Sequence, residues 1–335
     1  MTVDPESRPP SLSAGKRLRF RLELLILRAA VKIVPLFPLS LVHGLANLLG
    51  TIGWMADGRG RTNGMENLRC AFGPQYSTRQ RRRILRASYR VFARTFFDLF
   101  WSPRIKAKDW DRFFILQCDT PAARAALDAN HCIYVTAHFG GFEWLSIAKA
   151  LRGCGSMIIA QDFKNPPLTE IFRQLRSAGG RQETIPQEGA MLRLFKHLKK
   201  GGSAAALVDL TVPPEQSAAM IRSFGLRASM SIFHCALAQR TGVPIVPIMA
   251  TPAPCGKWTV RFFDPILILE SDDLTQVAQR CWDIFEPIIR AAPQHWLWMY
   301  KHWRYLPGDT PREEYPIYAA RNEAFDRLEN GNGGK

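Results

Sequence analysis

Two side chains with the chemistry of an acid–base pair lie five residues apart in the segment AHFGGFEW. His138 follows a stretch rich in apolar and β-branched residues, and Glu143 comes after two glycines. A carboxylate that reaches one imidazole nitrogen fixes the tautomer, and the other nitrogen can then take a proton from a hydroxyl. Such a pair suits acyl transfer from a thioester to an alcohol, because the hydroxyl is the reactant that needs activation.

Spacing alone leaves a structural role open for both residues. A glutamate at a strand-to-helix turn is often part of a helix cap, and a histidine there is often an ordinary loop residue. The position nevertheless favours chemistry, since active sites of open α/β sheets lie outside the carboxyl ends of the strands. Two glycines permit a sharp turn, and backbone N–H groups at the helix start can hold an oxyanion.

The elements around this segment alternate between strands and helices from about residue 113. Predicted strands are FFILQC, HCIYVTA, SMIIAQ, SAAALVDL, VPIVPIMA and KWTVRFFD; predicted helices are TPAARAALDA, FEWLSIAKALRG, PLTEIFRQLRSAGG, GAMLRLFKHLKKGG, SMSIFHCALAQRTG and residues 272–291. This alternation predicts an α/β fold with a mostly parallel sheet flanked by helices. A helical, membrane-associated extension precedes it.

The N-terminal extension contains an uncharged segment from Ile33 to Ala56. As one helix it would be long enough to cross a bilayer core of about 30 Å. Prolines, glycines, a histidine and an asparagine dilute its apolar character, and Arg28 and Lys32 precede it. We favour a membrane-associated helical hairpin or an interfacial helix, with a true span and a plain core helix as alternatives. Ser77 or Thr78 is the predicted N-cap of the basic helix that follows.

The charge balance indicates an acidic partner. The 45 Lys and Arg against 29 Asp and Glu leave a net charge of +16, which suits nucleic acid, anionic lipid or an acidic protein. Aromatic residues interleaved with the basic run at 81–83 fit the core side of a helix, so we expect no nucleic acid. The seven cysteines have no Cys-x-x-Cys spacing, which predicts reduced thiols and no metal, with a zinc site or a disulfide framework as the alternative. Without a dinucleotide or phosphate-loop motif, we expect no cofactor.

Five stretches carry a resemblance to a known family. In order along residues 16–307 they are GMENLRCAFG, AHFGGFEW, KNPPLTEIFRQLRSAGG, LVDLTVP with IRSFGLRASMS, and WLWMYKHWRYLP. With them the chain resembles the bacterial late (lauroyl and myristoyl) acyltransferases of lipid A biosynthesis, within the lysophospholipid-acyltransferase-like superfamily, and relatives that acylate phosphatidylinositol mannosides. Two positions depart from the family's pattern: Gly73 stands where proline is usual, and Leu210 where glutamine usually follows the aspartate.

The resemblance implies roles for individual residues. His138 would be the base on the acceptor hydroxyl, and Glu143 its orienting acid. Arg176, with Arg173 as a second candidate, would face the acceptor phosphate or the acyl intermediate; a solvated helix face is the alternative. Asp209 would be a carboxylate that shapes the site, or else a strand-end cap.

Two further residues, Phe224 and Gly225, would line the acyl pocket according to the resemblance. It implies an O-acyltransferase that moves a fatty acyl chain from acyl carrier protein to a hydroxyl of a lipid A precursor or similar glycolipid. The alternative is acylation of a phosphatidylinositol mannoside or lysophospholipid with acyl-CoA as donor. A non-catalytic basic protein that binds membrane or nucleic acid is a remote alternative, and it would need no His138–Glu143 geometry.

The expected location is the cytoplasmic face of the bacterial inner membrane, with the protein peripheral or anchored through its N-terminal region. The expected organisation is a disordered tail at 1–15, a helical membrane-associated region at 16–110, an α/β acyltransferase domain at 111–310 and a C-terminal tail at 311–335.

Overall fold

The computed structural model describes residues 13–177 and 180–329, so most of the predicted N-terminal tail lies outside the described residues. The helices are α1 (Ala14–Ile33), α2 (Leu39–Ala56), α3 (Gly58–Phe72), α4 (Thr78–Trp101), α5 (Trp110–Phe113), α6 (Pro121–Ala129), α7 (Phe142–Leu151), α8 (Pro166–Arg176), α9 (Ala190–Lys199), α10 (Phe233–Thr241), α11 (Leu274–Ala291) and α12 (Glu323–Glu329). The strands are β1 (Phe114–Cys118), β2 (Ile133–Thr136), β3 (Ser156–Ala160), β4 (Gln182–Pro186), β5 (Ala204–Leu207), β6 (Ala218–Ser223), β7 (Leu226–Ser231), β8 (Ile245–Pro252), β9 (Trp258–Phe262), β10 (Tyr305–Leu306) and β11 (Ala320–Arg321).

Seven strands form the main sheet, in the order β1-β9-β8-β2-β5-β3-β4. The run from β8 to β4 is parallel, whereas β9 is antiparallel to β8 and β1 is parallel to β9. The predicted mostly parallel sheet flanked by helices is therefore confirmed. The chain leaves β2 for β3 and β4 on one side and later reaches β8 on the other. The carboxyl end of β2 is thus a point where the strand order switches, the usual place for an active site.

Both faces of this sheet are covered, because its central strands are apolar on both sides. One cluster of buried side chains packs α9, α10 and α11 and the C-terminal tryptophans on one face, and a second packs α6, α7 and α8 on the other. All seven cysteines are unpaired.

The uncharged N-terminal segment is divided by a short 3-10 turn at Val34–Leu36, which contains Pro35, so it does not form one continuous helix. Helix α2 has 18 residues and is long and apolar enough to cross a membrane by length and composition alone, with 17% of it buried. Large apolar side chains of α1 and α2 are exposed: Leu18, Leu22, Leu25, Ile26, Ile33, Leu41, Leu45, Leu48, Leu49, Ile52 and Met55. Such an apolar surface marks a membrane or partner contact.

The opposite side of α2 packs lengthwise on α4. Val42, Ala46 and Gly50, spaced four residues apart, are buried there. Gly50 is required by the close approach, since a Cβ at this position would lie 2.7 Å from the Cα of Arg90. Gly50, one of the glycines that make the uncharged segment less apolar, therefore faces α4.

Three polar contacts also join α2 to α4. His43 Nε2 lies 2.7 Å from Asp98 Oδ1, Arg94 Nε donates to Asn47 Oδ1 at 2.7 Å, and Arg90 Nε donates to Thr51 Oγ1 at 2.9 Å. Steps of four residues on each helix keep these contacts on one face.

Three segments differ from the sequence prediction. Residues 182–186 form β4. Residues 229–231 belong to β7 and not to the predicted helix, because β6 and β7 close an antiparallel hairpin through the two-residue loop Phe224-Gly225. The predicted C-terminal tail is folded as far as residue 329, with Tyr315 and Phe325 buried; the remainder lies outside the described residues.

Candidate active site

His138 is positioned by the register of the two central strands. Thr136 of β2 pairs with Leu207 of β5, so the residues two positions further along, His138 and Asp209, also stand side by side. The chain then turns through Gly140, whose φ is +56°. A Cβ at Gly140 would lie 2.7 Å from the carbonyl oxygen of Ala250 and 2.8 Å from the indole of Trp258. The glycine thus serves both the turn and the close approach of β8 and β9.

Asp209 is the carboxylate that holds the imidazole of His138. Its Oδ1 lies 2.7 Å from His138 Nδ1, and its Oδ2 accepts the backbone N–H of His138 at 2.9 Å. The indole of Trp296 donates a third hydrogen bond, from Nε1 to Oδ2, at 2.8 Å. The acceptor on Nδ1 places the proton there, so that Nε2 is the nitrogen available for chemistry.

The carboxyl of Asp209 is fully buried. Burial by itself raises its pKa, but the charge of His138 and the hydrogen bonds from His138 and Trp296 together outweigh it and hold the pKa below its ordinary value. Asp209 therefore stays ionised beside the imidazole. This arrangement stabilises an imidazolium once His138 has accepted a proton.

Glu143 has a different partner from the one expected. Arg176 donates from Nε to Glu143 Oε2 at 3.0 Å and from Nη2 to Oε1 at 2.6 Å, a two-pronged pair. Glu143 lies in the first turn of α7 and Arg176 ends α8, and both side chains are largely buried. The expectation that Glu143 orients His138 does not match this geometry, because the carboxylate of Glu143 is engaged by Arg176 and Nδ1 of His138 by Asp209.

A cavity of about 640 Å³ opens beside these residues and is lined by His138, Glu143 and Arg176. Strands β3 and β5 pair only at Met157–Ala204 and Ile158–Ala205. Residues beyond these pairs on both strands line the cavity, with aromatic and aliphatic side chains of α4 and α7. The cavity can therefore hold an extended apolar chain whose reactive end lies at His138.

The sequence model of the family described as bacterial lipid A biosynthesis acyltransferases matches residues 18–305. The chain belongs to this family. It is therefore an acyltransferase, and the resemblance found in its motifs is confirmed. No curated protein matched the chain.

Three of the residues expected at the site of this acyltransferase lie elsewhere. Arg173 is outside the cavity lining and pairs with Glu170 at 3.0 Å and with Asp162 at 3.9 Å. It precedes Arg176 by three residues on α8, and its guanidinium lies among these carboxylates and not in the cavity.

Phe224 and Gly225 form the loop of the β6–β7 hairpin and do not line the cavity. The φ values of +54° and +84° match a tight hairpin turn. Phe224 packs among Trp282, Trp296 and Trp298, so this pair of residues supports the tryptophan cluster and lies outside the cavity lining.

Trp296 lies in the stretch WLWMYKHWRYLP that carries the family resemblance, but the sequence analysis predicted no role for it. It is 1% exposed and is stacked on His302 at 3.9 Å between ring centroids. Burial lowers the pKa of His302 to about 4, so this ring remains neutral. Asn67, from the GMENLRCAFG stretch, anchors the neighbouring backbone by donating to the carbonyls of Trp298 and Tyr300 at 2.7 and 2.6 Å.

Proposed function

We propose that this acyltransferase moves a fatty acyl chain from acyl carrier protein to a hydroxyl group of a lipid A precursor or a similar glycolipid. The observation that carries the proposal is the hydrogen bond from His138 Nδ1 to the buried Asp209 carboxylate, beside an apolar cavity of about 640 Å³. A base prepared to take a hydroxyl proton and a space for an acyl chain are the two requirements of this reaction.

In the proposed reaction, Nε2 of His138 accepts the proton of the acceptor hydroxyl while its oxygen attacks the thioester carbonyl. The tetrahedral intermediate collapses, the C–S bond breaks, and the leaving thiolate takes the proton from the imidazolium. Asp209 stabilises the imidazolium throughout. The N–H groups of the first turn of α7 have no acceptor within the helix, and they stabilise the oxyanion.

Arg176 has a positioning and binding role in this scheme. Two of its nitrogens bind Glu143, so the pair fixes the guanidinium at the cavity wall. Nη1 remains to contact a phosphate of the acceptor or of the donor's phosphopantetheine arm, for which a guanidinium is well suited. Glu143 acts through Arg176 in this scheme, and Asp209 takes the orienting role that the motif suggested for Glu143.

The N-terminal helices would hold the enzyme at the membrane surface. The apolar side chains of α1 and α2 are exposed, whereas the other side of α2 is joined to Asp98, Arg94 and Arg90 of α4. A helix with charged partners along its length is poorly suited to cross a hydrocarbon core. We therefore place α1 and α2 in the interface plane, on the cytoplasmic face where thioester donors occur. The net charge of +16 suits an anionic surface and an acidic carrier.

The test is acyl transfer by the purified protein, measured by mass spectrometry of the lipid product with acyl carrier thioester and a lipid A precursor. His138→Ala should lower the rate by about 10²–10⁴ because general-base catalysis is lost. His131→Ala is the matched control, since this histidine binds a backbone carbonyl away from the cavity. Full activity of the His138 variant would end the mechanism. A clear preference for acyl-CoA over the carrier thioester would favour the alternative donor.

A further inference from the structure

Four polar side chains meet in the cavity at the end opposite His138. Ser156 and Gln182 are the first residues of β3 and β4 and are paired in register. Ser146 and Lys149 come from α7, one and two turns beyond Glu143, and all four residues line the cavity. The carboxyl ends of these strands are about 13 Å away, at about 3.3 Å per strand residue. His138 lies beyond them, two positions after the last residue of β2.

Lys149 is the central member of this group. It is 2% exposed, its ammonium donates to Ser156 Oγ at 2.7 Å, and Nζ stands 3.1 Å from the centroid of the Tyr134 ring. Among the described residues, no carboxylate forms an ion pair with it, and burial lowers its pKa to about 7. A buried amine with one hydrogen bond and one aromatic contact is an unfavourable neighbour for the terminal methyl group of an acyl chain, because its remaining N–H donors need hydrogen-bond partners.

Two further polar atoms in the group have no partner in the described part of the chain. They are Ser146 Oγ and Gln182 Oε1. The amide nitrogen of Gln182 donates to the carbonyl of Ser146 at 2.9 Å, which fixes the direction of the side chain. A hydrocarbon tail pressed against these atoms would exclude the water that can satisfy them, and buried unsatisfied polar groups are costly.

We propose that Lys149, Ser146, Ser156 and Gln182 form a polar floor that sets the length of the acyl chain accepted by this enzyme. The proposal rests on the proposed acyl transfer. It narrows the class of acyl donor to thioesters whose saturated chain ends short of the floor. An extended chain advances about 1.25 Å per carbon, as C–C bonds of about 1.5 Å require. The depth of about 13 Å below the strand ends therefore corresponds to about ten carbons, and the carbons beside His138 add to this number.

The floor predicts a break in a chain-length series. While the chain still lies along the apolar wall, the affinity of the protein for a saturated fatty acid should rise about fourfold with each added methylene. This fold-change is equivalent to ~0.8 kcal/mol. Once the chain reaches the ammonium, further carbons must displace water from the floor, and affinity should fall by about tenfold for the next two carbons.

The experiment measures binding of saturated fatty acids, lengthened by two carbons per step, to the inactive His138→Ala protein by calorimetry. Adding Lys149→Met should move the optimum to a chain two carbons longer, because methionine is apolar and one heavy atom shorter. Gln182→Leu, from a different strand, should shift the optimum in the same direction. Lys199→Met is the matched control: this lysine binds the carbonyl of Thr241 near the Phe195 ring and does not line the cavity.

Thermal melts establish that each variant is folded. An optimum unchanged in both floor variants would overturn the proposal, as would wild-type affinity that keeps rising to the longest chain. Tighter binding of an ω-hydroxy chain than of the saturated chain of equal length would also overturn it, because the floor would then bind the chain end. Since binding is measured without turnover, failure of the floor leaves acyl transfer intact, and failure of acyl transfer leaves a chain-length shift measurable.

Discussion

Replacing Asp209 by asparagine should reverse the tautomer of His138. In the wild-type site, Oδ2 of Asp209 accepts from two donors, the His138 backbone N–H and Trp296 Nε1, while Oδ1 faces Nδ1. An amide nitrogen in the Oδ2 position would meet both donors, so the asparagine carbonyl should take that position and its NH₂ should face Nδ1. Nδ1 must then accept a hydrogen bond, which moves the imidazole proton to Nε2.

An imidazole with its proton on Nε2 cannot remove the proton of the acceptor hydroxyl. The expected loss is that of general-base catalysis, about 10²–10⁴ in kcat, or about 3–5 kcal/mol in the activation barrier. KM should change little, since Asp209 does not line the cavity. The fold should survive, because asparagine keeps a partner for each of the three hydrogen bonds and no buried charge is left unpaired.

Two measurements check this prediction. Initial rates of acyl transfer by mass spectrometry give kcat and KM, and nitrogen NMR of labelled histidine gives the tautomer of His138. Glu143→Gln is the matched control, because its side chain contacts Arg176 and should leave the tautomer unchanged. If Asp209→Asn kept its rate within about threefold of wild type, or if only the Glu143 variant changed the tautomer, the assignment of Asp209 as the orienting acid would be refuted.

Three further outcomes are expected. Gly50→Ala should destabilise the protein by about 1–3 kcal/mol through collision with α4, whereas Gly44→Ala on the same helix, with open space at its Cβ, should be neutral or stabilising in thermal melts. Trp296→Phe should lower kcat about tenfold or more by removing the N–H bound to the Asp209 carboxylate. Trp298→Phe, whose N–H binds a backbone carbonyl, should affect mainly stability, and equal kcat losses in the two variants would contradict this. Burial lowers the pKa of Lys149 to about 7, so the unfolded chain binds that proton more tightly and the free energy of unfolding should rise between pH 7 and about 10. Lys149→Met should flatten this rise, measured by urea titrations at several pH values. The same dependence on pH in the wild type and the variant would contradict this prediction.

The sequence alone determined those features that are written in local patterns. The alternation of apolar strands and amphipathic helices was sufficient for the α/β class, because each element must bury one face. The end of an apolar strand, followed by two glycines, located His138 at the edge of the sheet where active sites occur. The uncharged run from Ile33 to Ala56 indicated an apolar N-terminal surface, although not which of its side chains pack against the protein.

Tertiary structure decided the partners of the site residues. Glu143 is five residues from His138 and appeared to be its natural acid, but α7 carries its side chain toward Arg176. Asp209 is 71 residues away in sequence and Trp296 is 87 residues from Asp209. They meet because β2 and β5 are adjacent and in register and because the tryptophan segment folds back over their ends. Contacts at such separations depend on strand order and register, which no local periodicity encodes.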